Sequence, residues 1–263
     1  MIRALFSAAS GMVAQQLSID NIANNLANAN TTGFKHRRVQ FQDLLYQNLL
    51  SPGTAAGQQT VVPSGLQLGL GSRVVSNAVI LTQGDFIKTD NPFDLVIEGP
   101  GFFQIRLPTG DIAYSRAGNF HLDRDGNIVT ADGDPLDPGI TIPRDALDVM
   151  IAADGTVSFN QPGQPQAQQA GIIQLAGFQN PAGLLALGKN LFRQTQASGD
   201  PVIGLPGGQE GLGALQQGFL ENSNVSVVEE FINMIISQRA YEANSRVVRT
   251  ADEMYQQANA LSQ

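Results

Sequence analysis

Two rows of apolar residues with a seven-residue period, one at each end of the chain, limit what this sequence can fold into. Leu5, Met12, Ile19 and Leu26 recur every seven residues, with Ala8, Ile22 and Ala29 interleaved and Gln15 as the polar exception. At the far end Ala240, Val247, Met254 and Leu261 keep the same period. Ala251 and Ala258 lie between them, and Met234, Tyr241, Val248 and Tyr255 run alongside. Such rows are the seams of long helices that pack in coiled-coil fashion. At about 1.5 Å per residue the first helix spans roughly 40 Å and the second roughly 50 Å, so each can lie along the other. Ser226-x-x-Glu229 supplies a capping box where the second pattern begins. The plainer alternative is two amphipathic helices packed on their own domain. The shared period at opposite chain ends favours paired seams.

The first helix is weak by composition. Five of the ten residues from Asn21 to Asn30 are asparagine, which gains little from helix propensity. Its apolar stripe is also narrow, so the segment is expected to order only when partners cover it. Asn21, Asn25 and Asn28 are placed to exchange side-chain hydrogen bonds with neighbouring helices and so fix register.

Between the ends the character changes. Asp125-Gly126, Asp132-Gly133 and Asp154-Gly155 each sit between short runs of strand formers, which is hairpin chemistry. "FDLVIEGPGFFQIRL", "AYSRAGNFHLD", "NIVTADG", "LDVMIAADGTVSF" and "GIIQLAGF" read as strands, with few helical patterns among them. The expected architecture is therefore a mostly β, antiparallel central domain (34–221) flanked by terminal α-helices (1–33 and 222–263) that pair as a coiled coil in an assembly. Residues 51–71 and 199–213 are Gly/Pro-rich, and each reads as a loop or an extended arm. In the first of these Val61, Val62, Leu66, Leu68 and Leu70 are too apolar for a flexible linker. They are expected to contact a neighbouring subunit, the alternative being the chain's own β domain.

Chemistry has little to work with. The chain has no cysteine and two histidines, so disulfides, thiolate catalysis and thiolate metal sites are out of reach. His36 lies in a basic cluster, and His121 alternates with Phe120 and Leu122 on a strand, pointing to solvent. No nucleophile elbow, zinc-protease helix or phosphate loop occurs. Asp123, Asp125, Asn127 and Asp134 match parts of a calcium loop, but Ile128 occupies the position that needs glycine, so a hairpin turn is the better reading. No pair of carboxylates stands out for hydrolysis. No catalytic residue, cofactor or metal is expected. A net charge of −8 argues against nucleic acid or anionic lipid as a partner. No stretch of about 18 apolar residues offers a membrane span, and no adequate h-region supports a cleaved signal peptide.

"NIANNLANANTTGFKHRRVQFQDLL" resembles the N-terminal signature of the bacterial flagellar rod and hook axial proteins, on Asn25, Asn28, Thr31, Gly33, Phe34 and Lys35. "GFLENSNVSVVEEFINMIISQRAYEANSRVVRTADEM" is similar to the matching C-terminal signature, with Asn224, Gln238, Arg239 and Tyr241, and "DLVIEGPGFFQI" and "YSRAGNFHLDRDGNIVTADG" to the core β segment. Within that family the segment 43–71 and the length fit the distal rod better than the proximal rod or the hook. The resemblance implies a structural subunit, not an enzyme, exported by the flagellar type III apparatus. It further implies a helical homopolymer crossing the periplasm that meets proximal rod and hook subunits at its ends and turns in a ring bushing. The alternative from another class is a periplasmic cell-wall hydrolase.

Overall fold

The structure is a computed structural model that describes residues 2–51, 64–163, 166–208 and 210–261. Two compact units emerge, a helical unit (1–27, 37–78 and 226–263) and a β unit (28–36 and 79–225). The sequence reading grouped residues 34–221 as one β-rich domain, whereas the described residues of 37–78 group with the helical unit. Among the described residues no helix is long and apolar enough to cross a membrane.

In the helical unit α1 (Ile2–Ala27) is followed by β1 (Arg37–Asp43), β2 (Tyr46–Leu50), β3 (Leu66–Gly69) and β4 (Ser72–Val79), and α2 spans Val227–Leu261. β1 pairs with β4, and β2 pairs antiparallel with β3. The arm expected over 51–71 thus ends in a strand. Its alternation of Leu66, Leu68 and Leu70 with small or polar residues is the period-2 pattern of a strand, and it outweighs the nearby glycines. Ser226 caps α2, its Oγ accepting the Glu229 N–H at 3.5 Å and its carbonyl the Glu230 N–H at 3.0 Å.

The β unit begins with β5 (Phe86–Lys88), β6 (Leu95–Glu98), β7 (Phe102–Arg106) and β8 (Ile112–Ser115). Short strands β9 (His121–Leu122), β10 (Ile128–Val129) and β11 (Leu136–Asp137) precede β12 (Asp148–Ile151), β13 (Thr156–Asn160), β14 (Gln168–Ile172) and β15 (Leu175–Gly177). The last are β16 (Leu185–Gly188), β17 (Leu191–Arg193), β18 (Val202–Gly204), β19 (Ala214–Gln217) and β20 (Phe219–Glu221). The principal sheet has the order β16-β17-β8-β7-β15-β18, with β11 also on β7. The expected loop 199–213 therefore contains an edge strand, β18, too short to show a period.

The Asp-Gly turns behave as read. β9 and β10 form a hairpin in which Gly126 takes φ +83°, and Asp123 N–H donates to Asn127 O at 2.9 Å. Asp123, Asp125 and Asn127, which resembled a calcium loop, lie in this turn, and Asp134 lies in the next one, where its carbonyl accepts the Thr130 N–H at 2.9 Å. β12 and β13 are joined at Asp154-Gly155. β6, β7 and β8 bury nearly every residue because both sheet faces are covered, which explains why "DLVIEGPGFFQI" shows no alternation. Phe103, Ile105, Leu95, Ile97 and Phe120 fill the main core, and Phe102, Tyr114, Ala176 and Phe192 the smaller one on the other face.

Charge is divided unevenly. The helical unit carries seven basic and seven acidic side chains and the β unit eight and sixteen, so the whole formal charge of −8 lies on the β unit.

Candidate self-assembly surface

The two helices pack antiparallel along a seam of small and polar residues. Asn25 Nδ2 lies 3.1 Å from Glu230 Oε2, the Ser18 and Ser237 hydroxyls are 3.4 Å apart, and a Cβ on Gly11 would lie 2.8 Å from Asn244 Nδ2. Each step of seven along α1 is matched by a step of seven back along α2. Glycine at position 11 is what the close approach requires.

This seam sits one residue away from the predicted row on α1. Leu5, Met12, Ile19 and Leu26 are half-buried beside it, whereas Ile22 is buried. On α2 the buried row is Glu230, Ser237, Asn244 (half-buried) and Ala251. Ala240 is half-buried, Val247 and Met254 are exposed, and the side chain of Leu261 lies outside the described residues. Period alone could not tell these parallel rows apart, because all repeat every seven residues.

The asparagines have a local purpose. Asn25 is fully buried; its Nδ2 donates to Arg37 O at 2.8 Å and its Oδ1 accepts the Arg37 N–H at 3.0 Å. Asn21 Nδ2 donates to the same carbonyl at 2.7 Å. These side chains tie α1 to the first residue of β1, beyond the helix-to-helix bonding expected of them. Asn28 accepts from the Thr31 hydroxyl at 3.2 Å.

The turn that follows enters the β unit. Gly33 at φ +69° donates its N–H to Glu221 O at 2.8 Å, and a Cβ there would meet Ala117 N at 2.6 Å. Phe34 is half-buried. Lys35 is buried, its Nζ donating to Glu221 Oε1 at 2.6 Å and to Thr82 O at 2.9 Å. Arg116 Nε donates to Glu221 Oε2 at 2.7 Å, and its remaining donors reach the carbonyls of Ile97, Gly99 and Gly101. Burial is the largest influence on both ionisable partners. It pushes the Lys35 ammonium below its ordinary value, and it would raise Glu221 were it not outweighed by Arg116, Lys35 and the Gly84 N–H, which hold that carboxyl down. Asn224, another signature residue, accepts the His36 N–H at 2.6 Å.

What remains uncovered is apolar. Val228, Phe231, Ile232, Ile235 and Ile236 fall at i, i+3, i+4, i+7 and i+8 on α2 and are 49–70% exposed. Phe6, Val13 and Leu17 are exposed on α1. Gln238, Arg239 and Tyr241 lie on the exposed surface of α2. In the arm Leu66 and Leu68 are exposed beside Tyr46, Leu49 and Leu50, Leu70 is half-buried, and Val61 and Val62 lie outside the described residues. Sequence reasoning missed the α2 stripe, although "VVEEFINMII" carries its spacing. It also missed Glu221, Arg116 and Glu230, for which no sequence pattern names the partners.

Residues 5–35 match the flagella basal body rod protein family, residues 96–159 the flagellar hook protein FlgE/F/G D1 domain, and residues 216–261 the C-terminal region of the flagellar basal body rod FlgEFG proteins. The chain is 48% identical over 261 residues to the flagellar basal-body rod protein FlgG of Buchnera aphidicola subsp. Schizaphis graminum, covering 99% of this chain and 100% of the relative. It is 48% identical to that of Caulobacter vibrioides, covering 99% of each chain, and 41% identical to that of Bacillus subtilis, covering 98% of each. The three matched regions supply Lys35, Arg116 and Glu221, one apiece.

Proposed function

The chain belongs to the flagellar basal-body rod protein family, and from that premise we propose that it is the polymerising subunit of the distal rod. The observation that carries this reading is the apolar stripe Val228, Phe231, Ile232, Ile235 and Ile236, left in water by its own chain. A stripe of that size on a soluble chain marks an interaction surface. Helices from neighbouring copies covering it would form an inner coiled-coil layer, with the acidic β units outside. The charge division favours this arrangement, because neutral helical units pack closely without mutual repulsion.

The subunit is structural, and no hydrolytic step is assigned to it. Its work is to transmit torque from the motor to the hook as a driveshaft through the periplasm, after export by the flagellar type III apparatus. The exposed α2 stripe and the arm bearing Leu66 and Leu68 resist sliding between copies. Proximal rod and hook subunits meet it at the ends, and a ring bushing surrounds it. Concentrated pure protein should form tubes whose image reconstruction buries the α2 stripe between copies. Protein that stays monomeric, or tubes with that stripe facing solvent, would overturn the reading.

A further inference from the structure

The principal sheet of the β unit ends in two uncovered strands. Among the described residues neither β16 nor β18 has a strand partner on its outer side. Neither carries a charge, for β16 reads Leu-Ala-Leu-Gly and β18 Val-Ile-Gly. Leu185, Leu187, Val202, Ile203 and Leu205 are 42–51% exposed. An uncharged apolar edge presents unpaired N–H and C=O groups and is a template for another strand.

Direction, pleat and charge say which strand. Every step from β16 through β17, β8, β7 and β15 to β18 is antiparallel. The two edges therefore run opposite ways, and a second copy facing the same way sets its β18 antiparallel to β16 of the first. Copies in a helical polymer do face one way, and they meet through unlike patches. Ala186 lies opposite Phe192, and Ile203 opposite Ala176, so both stand on the face of the smaller core. Set opposite each other, they keep every neighbour on its own face of the sheet. The Lys189 end of β16 then meets the Asp200 end of β18, both residues being exposed. Lys189 lies 3.4 Å from Asp132 in a hydrated pair, and its ammonium has donors for a second carboxylate.

We propose that β16 of one copy pairs with β18 of the next, carrying the sheet of the β unit across the subunit boundary. The pairing rests on the polymer reading above and supplies a contact between β units. Pro201 and Pro206 frame β18 and end the pairing, because proline has no N–H to donate. Each contact is thus short and gains its strength from repetition along the polymer.

The chain has no cysteine, so Ala186→Cys and Ile203→Cys, both at exposed positions, are made as two single variants. Residues opposite each other in an antiparallel pair bring their Cβ atoms to about 4.5–5.5 Å, within reach of a disulfide after a small adjustment. Mixed at the concentration used for tubes and oxidised, the two variants should give a covalent dimer on a non-reducing gel, and each alone almost none. Met150→Cys mixed with Ala186→Cys is the control and should give none, since Met150 is exposed on β12 in another sheet. The same samples are imaged. Tubes without the mixed dimer overturn the edge pairing and leave the polymer standing. A mixed dimer without tubes supports the pairing and counts against the polymer. Neither tubes nor dimer overturns both, and a dimer formed as readily by either variant alone means a two-fold contact and overturns the proposal.

Discussion

Glu221 holds two cations at once, with one carboxylate oxygen 2.6 Å from Lys35 Nζ and the other 2.7 Å from Arg116 Nε, all three side chains almost wholly out of water. Such a group is far more sensitive to the loss of one member than its net contribution suggests, because the survivors keep their charge and lose their partner.

Glu221→Gln should therefore destabilise the β unit by about 3–5 kcal/mol, read from urea unfolding of the monomer. A loss well under 1 kcal/mol would mean that the carbonyls of Ile97, Gly99, Gly101 and Thr82 suffice for the two cations.

Acid should act on the same cluster. Glu221 is held below its ordinary value, so the unfolded chain binds more protons than the folded one in the window between the two values. Its stabilisation is complete above the ordinary carboxylate range and is lost as pH falls through the folded value. Lys35, also held low, gives stability the same rising trend with pH, in its own alkaline window. Melting temperature of the β unit should fall on acidification, and Glu221→Gln should flatten that slope. An unchanged slope in the variant would remove Glu221 from the account.

A charge on the exposed surface of α2 should separate assembly from folding. Ile232→Asp or Met254→Asp leaves an exposed monomer site hydrated, so cooperative melting should be nearly unchanged. In a polymer the carboxylate would be buried without a partner, and sedimentation should find the protein soluble at concentrations where the parent pellets. Equal loss of monomer stability would mean that these residues pack within the chain.

The arm is tested by stiffness. Leu66 and Leu68 lie exposed on a two-stranded ribbon, which is marginal alone and gains order from a covering surface. Leu66→Ser with Leu68→Ser should still fold and polymerise, giving tubes with a shorter persistence length in images. An unchanged persistence length would return the ribbon to an ordinary surface feature.

How much of this was legible in the sequence depends on the range of the interaction. Local rules served well: the Asp-Gly hairpins, the Ser226 cap and the long terminal helices follow from turn geometry and from periodicity within a few residues. Rows sharing a period of seven were ambiguous, since choosing among Gly11–Ser18–Asn25 and Met12–Ile19–Leu26 needs the neighbour's shape. Small and polar residues won that contact because they allow close approach and because β1 offers Arg37 as a hydrogen-bonding partner. The Glu221 cluster was out of reach. Its members are separated by 186 and 105 positions, and nothing local marks an acid as buried.

The unequal division of charge bears on how such tubes behave in number. With the helical units neutral, lengthening a tube stacks little like charge along its axis. With every surplus carboxylate on the β units, tubes that carried those units on the outside, as proposed, would repel one another when brought side by side. In that proposed arrangement end-on growth and lateral bundling would be governed by different parts of the chain, and at low ionic strength a dense solution should hold single tubes rather than rafts.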